Sequence, residues 1–431
     1  MSTCIWHNRF EHDWMRAFPL GNGRVGAMLY GNPMKETIEI NEESLWSGKQ
    51  QKEIYHSSPE ILQQLRSLLF QEKYEEATKI CTKTFLANPP TVRFYESFGE
   101  LLIDFTDKRE YTNYRKELEL SEAIARVSYQ KGKNWYHSET FVSETYDVLV
   151  HHMVTDGTPF SCNITFQRGQ DAYTSALNDN TLVMNGCIVH KEHELYGEGV
   201  EGMQFGARIY VVSDGSLTSD KTSISIENAT NFTIYGAFAT NYNVNKFDID
   251  ETILYRKKLA ADINAVKDMD YDTVKQKHIK EHKKWFDTLS LELDAPFYDE
   301  IPTDERVKRV KEEDVEDTDL YVLYYNFGRY LLIESSGKRA TLPANLQGIW
   351  CNGFTPPWGS DYHTNINLQM NYWPAECANM SDTAKPLIHF MKMLRMFGEE
   401  TARELFFADG WAINHTTDIF GRTGVHDFVS C

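Results

Sequence analysis

A chain of 431 residues with 41% hydrophobic content can bury sizeable cores and suggests roughly two or three domains. Its net charge of -19 excludes a nucleic-acid backbone as partner, for want of a basic excess to release counterions, and favours a neutral ligand over an anionic one. The cysteines Cys4, Cys81, Cys162, Cys187, Cys351, Cys377 and Cys431 are odd in number, scattered and without a CxxC pair, so neither a disulfide framework nor a zinc knuckle is indicated. The N-terminus, MSTCIWHNRFEHDW, lacks a basic region followed by an apolar run, and no apolar stretch is long enough to span a bilayer. No membrane partner is expected, and a reducing cytoplasm is the expected location.

Residues 1–245 read mainly as strands. Ala123, Val127 and Tyr129 alternate with Ile124, Arg126 and Ser128, and Ile224 and Ile226 alternate with Ser223, Ser225 and Glu227. Short runs such as FSCNITF, TLVMNGCIV and FGARIYVV, separated by Gly, Asn and Asp, predict a large β-sandwich. One helical insert interrupts it, starting at Ser58-Pro59-Glu60 and carrying Ile61, Leu62, Leu65, Leu68 and Leu69 at helical spacing. Gly21-Asn22-Gly23-Arg24-Val25-Gly26 fits GxGxxG, but AMLYG follows it and reads as strand, whereas a dinucleotide site needs a helix there.

Residues 246–318 form the expected linker. Its first part turns helical and basic; residues 296–318 are acidic, contain Pro296 and Pro302, and read as a solvated connector. His278 and His282 fit HxxEH and would share a helix face. Five lysines between Lys275 and Lys284 oppose a dication and no acidic third ligand stands out, so a solvated helix is preferred and no metal is expected. From Asp319 to the end the pattern is helical. Leu320, Leu323, Tyr324, Phe327 and Leu331 form one stripe, with further helices over Ala384–Phe397 and Glu399–Phe407.

The chain is organised around Thr341–Met380, which mixes Trp350, Trp358, Trp373, Tyr362 and Tyr372 with Asn345, Gln347, His363, Asn365, Asn367 and Asn371. Aromatic rings cover the C–H face of a pyranose, and amides and imidazoles pair with its hydroxyls. The alternative is a buried loop whose amides satisfy the backbone and whose tryptophans fill the core. His363, Asn365 and Asn367 alternate, so an extended segment would line them up on one face. They are placed on a loop entering a helix near Leu368, presented toward a pocket. Further on, His415 and Asp418 are three apart and could meet at one ligand; the alternative is an Asp that caps a helix or orients His415.

LPANLQGIW, PPWGSDYH, NIN and MNYWPAE resemble the catalytic-domain signature of glycoside hydrolase family 95, the 1,2-α-L-fucosidases and relatives. WMRAFPLGNGRVGAMLYG, INEESLWSG, FGELLIDF and FGRYLLIESS extend the resemblance over most of the chain. It implies an α+β multidomain protein: an N-terminal β-sandwich over 1–245, a helical linker over 246–318, and over 319–431 the first part of an (α/α)6 barrel. The glycine-rich turn then belongs to the β domain. The implied activity is inverting hydrolysis of terminal α-L-fucosyl residues of oligosaccharides, without a cofactor. By motif match Asn367 orients the attacking water, Asn365 partners it, and His363 binds fucose hydroxyls. Trp358, Trp373, His415 and Asp418 are further substrate-binding candidates.

Inverting hydrolysis needs an acid and a base spaced roughly 6.5 to 9.5 Å apart. The family's glutamate acid and activating aspartate lie later in the barrel, and neither Asp361 nor Glu376 matches them. The expectations are therefore weak or no activity for this chain, and an exposed Leu320–Leu331 stripe unless a second chain completes the barrel. A non-catalytic carbohydrate-binding remnant is the alternative. A sugar phosphorylase is a third reading, with Lys338-Arg339 as the only nearby basic pair.

Overall fold

The computed structural model describes residues 3–429 except 295 and 297; Cys431 lies outside them. Two antiparallel sheets dominate the first half. A nine-stranded sheet runs from Cys4–His7 at one edge to Ala172–Asn178 at the other, and a seven-stranded sheet runs from Ser216–Ser219 to Phe18–Gly21. Their facing side chains share one core. Leu20, Ala27, Ile38, Leu101 and Ile164 come from the smaller sheet, and Leu118, Val127, Leu149, Phe205 and Ile209 from the larger. The alternation read from the sequence does this work: Ile224 and Ile226 are fully buried while Glu227 next to them is exposed. Ala123 falls just outside its strand, at positive φ of 52°, and Ile124–Lys131 carries the alternating run.

The outer face of the larger sheet is covered by helices. Leu259, Ile263 and Val266 of the helix Tyr255–Val266 pack on Ile124, Phe141, Val150 and Ala237. The next helix, Tyr271–Phe286, carries the HxxEH histidines, and both are buried rather than solvated. His278 Nε2 bonds the Ala123 carbonyl at 3.1 Å and His282 Nε2 the Leu120 carbonyl at 2.8 Å. They tie the helix to a turn between strands. No group of three or more metal-ligating side chains occurs among the described residues.

The helical second half sits on the sandwich through a buried polar seam. Glu334 is 3% exposed, and its Oε2 accepts from Gly21 N at 2.9 Å while its carbonyl accepts from Gly23 N at 2.7 Å. A Cβ at residue 21 would come within 2.4 Å of that carbonyl, so only glycine allows this approach. The GxGxxG stretch is thus a hairpin turn that docks a helix. Glu43 accepts from Thr341 N at 3.0 Å and Leu342 N at 2.9 Å, and Asn41 bonds both backbone groups of Cys351 at 3.0 and 3.2 Å. Burial, with Glu42 beside it, pushes the Glu43 carboxyl up to about 8.

Several helical expectations are corrected. The insert contains two helices, Pro59–Phe70 and Tyr74–Thr84. The connector over 296–318 is not simply solvated: it holds the helix Thr303–Glu312, whose Arg306 is buried and paired with Asp317 at 2.7 Å and Asp319 at 3.0 Å. The helices expected over Ala384–Phe397 and Glu399–Phe407 are one, Lys385–Phe406. Gly398 marks no break; it leaves room for the returning chain, since a Cβ there would lie 2.7 Å from the Ala412 carbonyl. The Leu320–Leu331 stripe on the helix Thr318–Ser336 is mostly covered. Leu323 is buried, Leu320, Phe327 and Leu331 pack partly on the core, and Tyr324 alone of the stripe stays open at 77% exposed.

The six described cysteines are free, and no described helix is long and apolar enough to cross a membrane.

Two outcomes follow from the seam and from the clamp at the far end of the chain. Glu43→Ala strands two buried N–H donors and should cost roughly 2 to 5 kcal/mol. Urea unfolding would read the loss, and faster hydrogen exchange at 341–351 would locate it. Glu53 is clamped by Arg422 at 3.2 Å and by His426. Against the upward pull of burial, His426 and Arg422 hold its carboxyl well below the usual range. A depressed value means the clamp is fully stabilising above an unfolded value of about 4.3 and weakens as pH falls below it. Limited proteolysis should therefore reach residues 420–428 first in acid, and in Glu53→Gln already at neutral pH.

Candidate active site

The stretch Thr341–Met380 divides into a buried half and an open half. Trp350 is 6% exposed and donates from Nε1 to the Leu20 carbonyl at 2.9 Å. Tyr372 OH meets Ser336 Oγ and the Ala344 N–H, both at 2.8 Å. Tyr362 is buried against Trp46. Asn345 Oδ1 accepts from Gln347 N at 2.8 Å, Gln347 Oε1 accepts from Ser360 Oγ at 2.7 Å, and Asn371 Nδ2 donates to the Asn345 carbonyl at 3.0 Å. These side chains are engaged in folding the loop.

The open half carries the other candidates. Trp358, at φ 49°, stands in the turn Pro357–Ser360 and is 77% exposed; Trp373 opens the short helix Trp373–Cys377 and is 62% exposed. Only Tyr362–His363 is extended, so the three alternating residues do not share a strand. His363 ends that strand, Asn365 lies in the turn after it, and Asn367 opens the helix Asn367–Asn371. The turn forms because Thr364 is pulled away: its N–H donates to the His415 carbonyl at 2.7 Å and Gln369 Nε2 donates to its carbonyl at 2.6 Å. Asn365 Oδ1 accepts from Ile366 N at 3.1 Å; Asn367 has no side-chain partner among the described residues. Both asparagines are exposed, on an open face rather than in an enclosed pocket.

The strand Tyr362–His363 pairs with Thr416–Thr417, which brings His363 and His415 to 6.0 Å between ring centroids. His363 Nδ1 bonds Asp361 Oδ1, and Asp361 Oδ2 accepts from Thr416 Oγ1 at 2.7 Å. That bond to Asp361 holds the imidazole above its ordinary value. His415 is 7% exposed; burial holds it below its ordinary value against the pull of Asp427, whose Oδ2 lies 3.4 Å from its Nε2. Asp418 does not join this group. It is fully buried, accepting from Arg93 N at 3.0 Å and Phe420 N at 2.9 Å, so the proposed meeting of His415 with Asp418 is corrected to His415 with Asp427. Asp418 is the structural carboxylate of the alternative reading, without the helix. Sequence reasoning set Asp361 aside as no match to the family's acids and passed over Asp427. The D-x-H spacing of Asp361 and His363 on either side of one strand residue was the available signal; nothing local marks Asp427.

Arg339 donates to the Glu144 and Thr145 carbonyls, each at 2.6 Å, so the Lys338-Arg339 pair builds no phosphate cradle.

Comparison with known proteins gives two family matches along the chain. The Glycosyl hydrolase family 65, N-terminal domain profile matches residues 5–245, and the Glycosyl hydrolase family 95 catalytic domain profile matches residues 270–431. Alpha-L-fucosidase 2 of Arabidopsis thaliana is 30% identical, aligned over 96% of this chain and 51% of its own. Probable alpha-fucosidase A of Aspergillus niger is 30% identical over 95% of this chain and 52% of its own. The chain spans about half the length of these curated relatives. A solved protein described as a candidate kojibiose phosphorylase from human microbiome superposes with a TM-score of 0.62 at 9% identity, covering 98% of this chain and 52% of that one, a likeness of fold alone. Both halves are thus matched in order: residues 5–245 belong to the family 65-type N-terminal domain family, and residues 270–431 are similar to the glycosyl hydrolase family 95 catalytic domain.

Proposed function

We propose that the open face of Thr341–Met380 is the fucosyl-binding and water-orienting part of an inverting α-L-fucosidase-type site. The helices Thr318–Ser336 and Lys385–Phe406 are, in this reading, members of an (α/α)6 barrel. One observation carries it: the fold uses the amides of Asn345, Gln347, Gln369 and Asn371, and leaves that of Asn367 without a partner among the described residues, on a segment that also exposes Trp358 and Trp373. Trp358 and Trp373 offer faces for the C–H side of a deoxysugar. His363 and Asn365 supply hydrogen bonds for its hydroxyls. Asn367 accepts a hydrogen bond from the attacking water and orients it. An amide holds no proton at neutral pH, so a carboxylate must polarise that water. The fucosidase names of the relatives favour fucose as the sugar.

Turnover by this chain is expected to be weak, because the two carboxylates paired with its histidines, Asp361 and Asp427, are already engaged. Asp361 serves His363 and Thr416, and Asp427 serves His415 and Thr91. The same fact favours a second reading, carbohydrate binding without catalysis.

A terminal α-1,2-fucosyl oligosaccharide such as 2′-fucosyllactose separates the readings. Proton NMR of released sugar should show slow formation of β-L-fucose as the first anomer, the product of inversion. Asn367→Ala should lower that rate by about 100-fold and leave binding within about threefold. Binding with no fucose released selects the non-catalytic reading; turnover at the rate of an ordinary glycosidase contradicts the expected weakness; no binding at all rejects both.

A further inference from the structure

We propose that Asp361 is the positioning residue of this face: it fixes His363 so that Nε2 is the ring atom presented to a sugar hydroxyl. The inference rests on the reading of the face as a fucosyl site and deepens it. Asp361 is 4% exposed, at the junction of the Trp358 turn and the strand Tyr362–His363. Three elements hold it. Its Oδ1 takes His363 Nδ1, its Oδ2 takes Thr416 Oγ1 from the neighbouring strand at 2.7 Å, and its carbonyl takes Leu346 N at 3.2 Å. Turning the carboxylate away from the ring would break the Thr416 bond as well, so its orientation is over-determined. With Nδ1 engaged, Nε2 is the ring nitrogen without a protein partner among the described residues, on a side chain 18% exposed.

The tautomer decides what the ligand meets. A charged ring presents Nε2–H as a donor; a neutral ring held by Nδ1–H on Asp361 presents a lone pair. The titratable groups facing His363 are Asp361 and Asp427, which favour the charged ring, and His415, which is buried and held low. Charge-assisted donation to a hydroxyl is the stronger mode. It is present below the raised value of His363 and lost as pH rises through it.

Asp361→Asn is the discriminating variant. Its amide oxygen can still accept from Nδ1–H and its NH2 can donate to Thr416 Oγ1, so the shape and both bonds survive while the charge is removed. The His363 ring nitrogens are followed by 15N NMR, assigned by their loss in His363→Gln, alongside L-fucose affinity as a function of pH. The wild-type ring should titrate above about 6.5 and keep its proton on Nδ1 when neutral. In Asp361→Asn the titration should fall by about one pH unit or more, L-fucose should bind about tenfold more weakly near neutral pH, and the midpoint of affinity against pH should follow the ring downward. Thr416→Val, which frees one carboxylate oxygen, should give a smaller change in the same direction and serves if the Asn variant does not fold. A wild-type ring that titrates at or below about 6.5, a neutral ring protonated on Nε2, or an Asn variant that titrates like the wild type overturns the proposal. If the ring behaves as described but the wild type binds no L-fucose, the positioning role stands and the fucosyl reading fails.

Discussion

The structure depends on a buried polar seam between the sandwich and the helical half. Peptide groups of an irregular loop cannot be buried without partners. The loop over 341–351 obtains them from side chains of the first half of the chain, 254 to 310 residues earlier: Glu43 for Thr341 and Leu342, Asn41 for Cys351, Tyr95 for the Ile349 carbonyl. Gly21 lets the helix Thr318–Ser336 approach closely enough for Glu334 to close the seam from the other side. The first domain is therefore part of the machinery that shapes the candidate site.

From that seat the rest follows. Trp350, Tyr362 and Tyr372 are sunk in the core, while Trp358 and Trp373 turn outward. The ribbon between Tyr362–His363 and Thr416–Thr417 then imports a second histidine, and each histidine carries its own aspartate. Burial separates their behaviour: His363, partly open and bonded to Asp361, favours charge, while His415, buried, resists it. Two chemically identical rings are thus pushed in opposite directions by their surroundings, and among the described residues the partly open His363 keeps Nε2 without a protein partner.

Much of the fold was legible because strand alternation is a local signal. Ile224, Ile226, Val127 and Tyr129 point inward as their spacing says, and Ser58 caps the insert helix that its sequence announces. Long-range pairing was not legible. His415 has an aspartate three residues away and another twelve away, and it takes the farther one because Asp418 is consumed by the backbone of Arg93 and Phe420. Asn345, Asn367 and Asn371 look alike in sequence; which amides the fold uses depends on carbonyls and hydroxyls placed by tertiary packing. Gly398 read as a break and is a packing contact, and Arg306 read as solvated and is buried between two aspartates. The family motifs singled out the candidate site, where local chemistry alone could not separate its exposed side chains from its structural ones.

The most direct measurement is the response of individual indole N–H resonances to methyl α-L-fucoside. Shifts at Trp358 and Trp373, with Trp46 and Trp350 unmoved in the core, are the result expected of a sugar held on the open face. Saturable shifts confined to other tryptophans, with Trp358 and Trp373 silent, would place the sugar elsewhere and contradict it.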